Sequence, residues 1–140
     1  MGPDNNLAEL ENAIPAGERS TSLRVLLAED DRSSRRFLSI VLERAGYKVF
    51  AAEDGLEAMR MALSTPVDIV VTDATMPNLN GHEFCRFLRN SASLAHLPVI
   101  LLSAHAQKEP DENVERVDAF LLKPVSGEAL VACVEKLLAR

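Results

Sequence analysis

The sequence predicts a three-layer α/β fold in which a doubly wound, five-stranded parallel sheet has the strand order 2-1-3-4-5. Short apolar runs rich in Val, Ile and Leu alternate along the chain with segments of helical periodicity. The main runs are continuous, as in strands that helices cover on both faces. Alternation of strand and helix implies right-handed crossovers and a parallel sheet. For five strands in a chain of this length, the flavodoxin-like order is the leading candidate.

The five predicted strands differ in strength. The strong runs, which suit central positions, are LRVLLA (23–28), DIVVT (68–72) and PVILLS (98–103). The weaker runs, which suit the edges, are YKVFAA (47–52) and AFLL (119–122). In the order 2-1-3-4-5 the second and fifth strands are the edge strands, so strength and position agree.

Apolar side chains at helical spacing predict four helices. The side chains predicted to face the sheet are Phe37, Leu38, Val41, Leu42 and Ala45 in the first helix, Leu56, Met59 and Leu63 in the second, Phe84, Phe87 and Leu88 in the third, and Leu130, Val134 and Leu137 in the last. Helix starts are marked by cap residues with first-turn acids, namely Asp54 with Glu57, Asn80 with Glu83, and Ser126 with Glu128. Gly46 is predicted to end the first helix.

Two segments do not fit this pattern. Residues 1–22 are polar and form a predicted leader outside a domain of residues 23–140. Leu7, Leu10 and Ile14 are spaced for one face of a short helix, which could dock on the domain, pair with a partner or fray. Residues 104–118 contain few apolar side chains and a proline, Pro110, so a helix between the fourth and fifth strands must be short, broken or loosely held.

Composition excludes several classes of protein. The formal net charge of -6 argues against a nucleic-acid binder, which usually has a clustered basic face. No apolar run approaches the roughly 20 residues that span a bilayer, and no secretory signal is present, so a cytoplasmic protein is expected. Cys85 and Cys133 are too few and too far apart for a disulfide framework or a zinc site, and two buried, reduced thiols are expected.

Acidic residues follow two neighbouring strands of the predicted sheet. Open α/β sheets bind ligands beyond the carboxyl ends of their strands, where the chain order reverses, here between the first and third strands. The first strand is followed by Glu29, Asp30 and Asp31, and the third by Asp73. Clustered carboxylates cost free energy unless they are compensated, and Mg²⁺ (or Mn²⁺) is the natural compensation.

The fourth and fifth strands add complementary groups, the hydroxyl of Ser103 and the ammonium of Lys123. This set suits phosphoryl transfer, in which positioning and charge neutralisation supply most of the catalysis. Alone, each residue has a plainer interpretation: Asp30, Asp31 or Asp73 as a helix cap, Ser103 as a loop hydroxyl, Lys123 as a solvated charge. Their convergence on one edge of the sheet favours the functional interpretation.

With these residues in place, the sequence resembles the CheY-like receiver domain of bacterial two-component response regulators. The resemblance covers residues 23–140, and its motifs are LLAEDD, VVTDATMPNLNG, LLSA and FLLKP. It implies that Asp73 accepts a phosphoryl group from the phosphohistidine of a sensor histidine kinase or phosphotransfer protein. It also implies that Asp30 and Asp73 bind Mg²⁺ by their side chains and Thr75 by its backbone carbonyl, with Glu29 completing the acidic pocket through water.

The resemblance assigns further roles. Lys123 would contact the phosphoryl oxygens, and its bond to Pro124 would be cis. Ser103 and Phe120 would form a switch pair, in which the hydroxyl closes on the phosphoryl group and the ring turns inward. Gly81 would permit the tight loop after the third strand. Such a domain is not an enzyme acting on other substrates, because it catalyses only its own phosphorylation and dephosphorylation.

The chain departs from the family pattern before the fifth strand. The residues there are ERVDAF in place of the usual Gly-Ala turn, and the span from Ser103 to Lys123 is a residue or two short. The helix between the fourth and fifth strands normally belongs to the output surface, so a non-standard partner surface is expected. The expected partners are a kinase or phosphotransfer protein and an unknown downstream protein, without nucleic acid or membrane, and the chain would be a monomer or weak dimer.

Other functions are weighed against this one. A protein-interaction module that signals without phosphorylation would not need the full acidic set with Ser103 and Lys123. A Mg²⁺-dependent hydrolase would carry a second acid where Thr75 stands. A transcription factor is disfavoured because no DNA-binding domain follows residue 140. Surface or structural roles are predicted for the histidines, His82, His96 and His105, although His105, two residues past Ser103, is a candidate for tuning hydrolysis.

Overall fold

A five-stranded parallel sheet forms the centre of the computed structural model, which describes residues 22–105 and 117–140. The strands are β1 (Arg24–Ala28), β2 (Lys48–Ala52), β3 (Ile69–Asp73), β4 (Val99–Ser103) and β5 (Ala119–Leu122). Their order is β2-β1-β3-β4-β5, and every neighbouring pair is parallel. The predicted fold class and strand order are therefore confirmed, and the two weaker runs are the edge strands.

Four helices are found within the described residues. They are α1 (Arg32–Arg44), α2 (Gly55–Ser64), α3 (Gly81–Asn90) and α4 (Gly127–Leu138). The predicted caps of the last three are confirmed, because the side chains of Asp54, Asn80 and Ser126 each accept a backbone N–H of the first turn. The predicted stop after α1 is also confirmed, since Gly46 has a φ of 101°.

Each face of the sheet carries its own hydrophobic core. One contains Leu26 and Val70 of the sheet with Phe84 and Leu88 of α3, and the helix α2 covers it as well. The other is built from alternate strand residues, such as Leu27 and Val71, against α1 and α4. Successive side chains of a strand point to opposite faces, so a sheet covered on both sides needs apolar residues at every position. This explains why the strands are continuous apolar runs.

The predicted inner stripes are right for α3 and α4 and partly wrong for α1 and α2. In α1, Leu38 and Leu42 are buried, but Phe37 is 50% exposed. In α2 the buried side chains are those of Ala58 and Ala62, whereas Leu63 is 64% exposed. Helical spacing of apolar residues therefore located both helices, but it did not identify which of their apolar side chains are buried.

Several predictions fall on residues that the structure does not describe. The leader of residues 1–22 and its short helix lie outside the described ranges except for residue 22, and so does most of the segment 104–118 with Pro110. Cys85 is buried and Cys133 half-buried, and no disulfide joins them. None of the helices in the described ranges has the length and apolar character needed to cross a membrane.

Candidate functional site

Three carboxylates converge where the sheet order reverses. Glu29 directly follows β1, and Asp73 is the last residue of β3, the strand beside it. Oxygen atoms of Glu29, Asp30 and Asp73 all lie within 4.8 Å of one another. Glu29 is fully buried and Asp73 is 6% exposed, while Asp30 faces solvent. The structure therefore brings together three of the four acids that the sequence predicted at this edge.

Lys123 joins two of these carboxylates. It follows β5, and its Nζ lies 3.0 Å from Asp73 Oδ2 and 3.1 Å from Glu29 Oε1. Burial by itself lowers the pKa of the ammonium, but the hydrogen bonds to Asp73 and Glu29 outweigh it and raise the pKa of Lys123. Lys123 is therefore a fixed positive charge between two buried acids. The peptide bond from Lys123 to Pro124 is cis, as the resemblance implied.

Backbone and guanidinium groups hold the turn after β1. Burial raises the pKa of the Glu29 carboxyl, while the Asp31 N–H, which donates to Glu29 Oε2 at 3.1 Å, and Lys123 act in the opposite direction. Arg35 Nη1 donates to the carbonyl oxygens of Glu29 and Asp30 at 3.0 and 3.3 Å. Sequence reasoning missed Arg35. Its position in the first turns of a helix that directly follows the acidic residues is the signal that could have found it.

Asp31 is a helix cap, which is the plainer of the two interpretations that the sequence left open. Its side chain accepts the N–H of Ser34 at 2.8 Å and caps α1, and this bond lowers the pKa of the Asp31 carboxyl. Asp30 belongs instead to the carboxylate cluster. The two adjacent acids therefore divide the roles of helix cap and potential metal ligand between them.

The loop after Asp73 returns close to the strand end. The Thr75 N–H donates to Asp73 Oδ1 at 3.4 Å, and the Gly81 N–H donates to the Ala74 carbonyl at 3.0 Å. A Cβ at Gly81 would lie 2.2 Å from the carbonyl oxygen of Asp73. A residue without a Cβ is thus needed at position 81 for this close approach, in agreement with the tight loop geometry predicted there.

The Ser103 hydroxyl is bonded to the backbone of His105, and the Phe120 ring is partly exposed. Ser103 Oγ donates to the His105 carbonyl at 2.9 Å and accepts the His105 N–H at 3.1 Å. Across the described ranges, no hydrogen bond links this hydroxyl to Asp73 or Lys123. Phe120 is 38% exposed on the edge strand. The switch roles of both residues stay predictions.

The cluster suits a hard divalent cation. Its three carboxylates and one ammonium leave a formal excess of two negative charges around two largely buried acids. Such an excess is unfavourable without a counter-charge. Carboxylate oxygens are the ligands that Mg²⁺ prefers, usually one or two of them completed by water and phosphate. The residues present therefore fit the predicted metal.

A cavity of about 540 Å³ opens beside the cluster, between α1 and the turn that follows β5. Its walls include Glu29, Leu102, Lys123 and Pro124. The cavity therefore borders Glu29 and Lys123 of the cluster on the side of α1.

The chain matches one protein family over most of its length. Residues 25–135 match the model described as response regulator receiver domain. The chain is 39% identical over 123 residues to the response regulator MprA of Mycobacterium ulcerans, which covers 85% of this chain and 51% of MprA. It is 33% identical over 148 residues to the sensor histidine kinase TmoS of Ectopseudomonas mendocina, which covers 99% of this chain and 15% of TmoS. The chain thus spans about half of MprA and a small part of TmoS.

Solved structures share the fold. The chemotaxis response regulator CheY4 of Vibrio cholerae superposes with a TM-score of 0.78 at 28% identity, covering 84% of this chain and 99% of CheY4. TrrA of Thermotoga maritima, solved in complex with Mg²⁺-BeF, gives a TM-score of 0.75 at 29% identity, covering 82% and 98%. The receiver domain of the histidine kinase PA1611 of Pseudomonas aeruginosa, solved with magnesium in its active site cleft, gives 0.79 at 25% identity, covering 86% and 100%.

Proposed function

Because the chain belongs to the response regulator receiver domain family, we propose that it is a phosphorylatable signalling domain in which Asp73 accepts a phosphoryl group. One observation carries the proposal. The largely buried carboxylate of Asp73 shares a single cluster with Glu29 and Asp30, and it lies 3.0 Å from the Lys123 ammonium. In-line phosphoryl transfer requires a metal site and a fixed positive charge beside the accepting carboxylate. The acids could hold the metal, and Lys123 is the fixed charge.

The metal would be held by this chain's oxygen atoms. We assign the side chains of Asp30 and Asp73 and the backbone carbonyl of Thr75 as ligands, with Glu29 acting through water. When bound, Mg²⁺ supplies neutralisation of the charge on the phosphoryl oxygens. The structures of TrrA and PA1611 support a magnesium site in this family, since both of those relatives were solved with magnesium.

The phosphoryl donor would be a phosphohistidine on a sensor histidine kinase or phosphotransfer protein. A carboxylate oxygen of Asp73 attacks phosphorus and forms a P–O bond, while the P–N bond breaks and its electron pair stays on the imidazole nitrogen of the partner. Lys123, already at hydrogen-bond distance from Asp73 Oδ2, meets the incoming phosphoryl oxygens. Water later attacks the phosphorus of the acyl phosphate, which releases inorganic phosphate and restores the Asp73 carboxylate.

Ser103 and Phe120 would report the new charge. In the described conformation the Ser103 hydroxyl bonds to the His105 backbone, and the Phe120 ring is 38% exposed. A phosphoryl dianion on Asp73 offers strong acceptor oxygens, so we expect Ser103 to exchange the His105 carbonyl for one of them and Phe120 to turn inward. The output would then be a changed protein-interaction surface that an unknown downstream protein recognises in the cytoplasm.

Intact mass spectrometry tests the proposal. The native chain incubated with Mg²⁺ and acetyl phosphate should gain one phosphoryl group, and EDTA should abolish the gain. Asp73→Asn should gain none, because an amide oxygen is a far weaker nucleophile than a carboxylate. Asp68→Asn is the matched control. Asp68 accepts the Arg24 N–H before the start of β3, at the opposite end of that strand from Asp73, and an Asn can accept the same bond.

The two informative failures differ. An adduct of equal yield in Asp73→Asn would show that another residue is the acceptor. A native chain without any adduct would favour the alternative, a receiver-like interaction module that works without phosphorylation.

A further inference from the structure

The loop that follows Asp73 is seated on the first turn of α2. Asn78, in this loop, has a left-handed φ of 72° and donates from Nδ2 to Asp54 Oδ2 at 3.0 Å. Asp54 lies immediately before α2 and is the cap residue of that helix. A hydrogen bond between residues 24 positions apart therefore ties the loop to a helix that carries none of the site residues.

A second contact makes the seating tight. A Cβ at Gly55, the first residue of α2, would lie 1.9 Å from the carbonyl oxygen of Leu79 and 2.6 Å from its Cβ. The obstructing oxygen belongs to the backbone, so a side chain at position 55 must displace the loop or the helix. The φ of Gly55 is not in the left-handed region, so the backbone conformation does not require a glycine here. The close approach of Leu79 does.

Asp54 has one more bond than capping requires. Its Oδ1 accepts the Glu57 N–H at 2.8 Å, which is the complete helix cap. Serine or asparagine would cap equally well. Its second oxygen is engaged by Asn78 instead, and this bond acts on the loop rather than on the helix.

The loop is held at both ends. At its base the Gly81 N–H bonds to the Ala74 carbonyl at 3.0 Å, and at its tip Asn78 and Leu79 contact α2. Thr75, whose carbonyl is assigned to the metal, lies between these attachments. A shift of the tip would reach the Thr75 backbone through residues 76 and 77. Mg²⁺ tolerates little movement of a ligand because it demands near-ideal octahedral geometry.

We propose that Asp54, Gly55 and Asn78 are positioning residues for Mg²⁺ binding, acting on the Thr75 carbonyl through the loop that they seat on α2. The inference rests on the proposed function, since it assumes that Thr75 is a ligand. None of the three residues is among the assigned ligands. Their replacement should therefore weaken Mg²⁺ affinity while leaving phosphorylation at saturating Mg²⁺ nearly unchanged.

A double-mutant cycle isolates the hydrogen bond. Asp54→Ser keeps a cap and removes the second oxygen, and Asn78→Gly removes the amide while tolerating the positive φ. Calorimetric titration with Mg²⁺ alone should show each single variant weakened about fivefold, as for the loss of one hydrogen bond. The double variant should be no weaker than either single variant, because the two side chains act through one bond.

Gly55→Ala tests the close contact, with Gly127→Ala as its matched control. Both glycines are the first residue of a capped helix, but the atoms nearest to a Cβ at Gly127 belong to the Val41 side chain, the closest at 3.1 Å, and not to the backbone. We expect Gly55→Ala to weaken Mg²⁺ binding by about tenfold or more and Gly127→Ala by less than about twofold, a difference of about 1 kcal/mol or more. At limiting Mg²⁺, acetyl phosphate should label Gly55→Ala less than Gly127→Ala. At saturating Mg²⁺, the two variants should be labelled to nearly the same extent.

The outcomes separate this inference from the proposed function. Native Mg²⁺ affinity in Asp54→Ser and Asn78→Gly, with or without a loss of thermal stability, would overturn the positioning role alone. Additive losses in the double variant would also overturn it, because the residues would then act independently. A native chain that binds no Mg²⁺ and takes up no phosphoryl group would overturn the proposed function and this inference with it.

Discussion

Glu29 and Lys123 illustrate how the surroundings of a residue in this molecule shift the pKa of its side chain. Glu29 is completely buried, and burial raises the pKa of its carboxyl. The same acid is held by the Asp31 N–H and by Lys123. A buried acid with partners on both of its oxygens is held in one orientation, as the role proposed for Glu29 in ordering water around a metal would require.

Tyr47 offers a residue-level prediction away from the site. Burial, reinforced by the negative charge of Glu135, raises the pKa of its phenol above 10.0. The chain has one tyrosine and no tryptophan, so tyrosinate absorbance reports this residue alone. In a pH titration followed by this absorbance, we expect the midpoint of the folded chain to lie at a higher pH than that of the chain in urea. Glu135→Gln should lower the midpoint of the folded chain only.

The sign of the linked stability change follows from this shift. The folded chain holds the phenolic proton more tightly than the unfolded chain, so the contribution of Tyr47 to stability is complete below about pH 10. It is lost as the pH rises through the higher folded pKa. Tyr47→Phe should therefore flatten this alkaline decline in urea unfolding experiments. Identical midpoints in folded and unfolded chains would contradict the prediction.

At the level of elements, α1 shows how one helix divides its apolar side chains between core and surface. Leu38 and Leu42 are buried against the sheet, whereas Phe37, the largest apolar side chain of the helix, is 50% exposed. Adjacent residues of a helix are rotated by about 100° from each other, so Phe37 and Leu38 cannot both point at the centre of the sheet. The two leucines, four residues apart, share one face.

The stability of α1 variants should follow this division. Leu42→Ala removes a fully buried side chain and should lower the free energy of unfolding by about 3 kcal/mol. Phe37→Ala removes a larger side chain that is already half in water, and it should cost less than about 1 kcal/mol. Urea unfolding measures both. A larger loss for Phe37→Ala than for Leu42→Ala would contradict this division between core and surface.

For the whole molecule, the acidic cluster is the point at which the fold and its function conflict. The parallel sheet brings Glu29, Asp30 and Asp73 within 4.8 Å from two strand ends that are 44 residues apart in the chain, counting from Glu29 to Asp73. Mutual repulsion of these acids opposes folding, and Lys123 offsets only part of it. A receiver built in this way should be more stable with its metal than without it.

Mg²⁺ should therefore stabilise the native chain. A ligand that binds only the folded state adds about 2.7 kcal/mol at one hundred times its dissociation constant. Thermal melts with increasing Mg²⁺ should show a rising Tm for the native chain and little change for Asp30→Asn. Asp68→Asn, outside the cluster, should respond like the native chain. An equal rise in all three would indicate a non-specific salt effect.

Much of this protein follows from its sequence alone. Continuous apolar runs alternating with helical periods predicted the strand order, and the acids and lysine at the strand ends predicted the cluster, because parallel strands place their carboxyl ends at one edge. Caps such as Asn80 were also predictable, since they depend on residues three apart. These features depend on local pattern or on a topology that few rules determine.

The tertiary structure alone decided the rest. In α2 the buried side chains are those of Ala58 and Ala62, whereas Leu63 is exposed, and apolar spacing alone did not distinguish them. The seating of Asn78 and Leu79 on Asp54 and Gly55 likewise joins loops from different crossovers. Such contacts depend on distances between elements that are remote in sequence, and a pattern of residue types along one chain does not contain those distances.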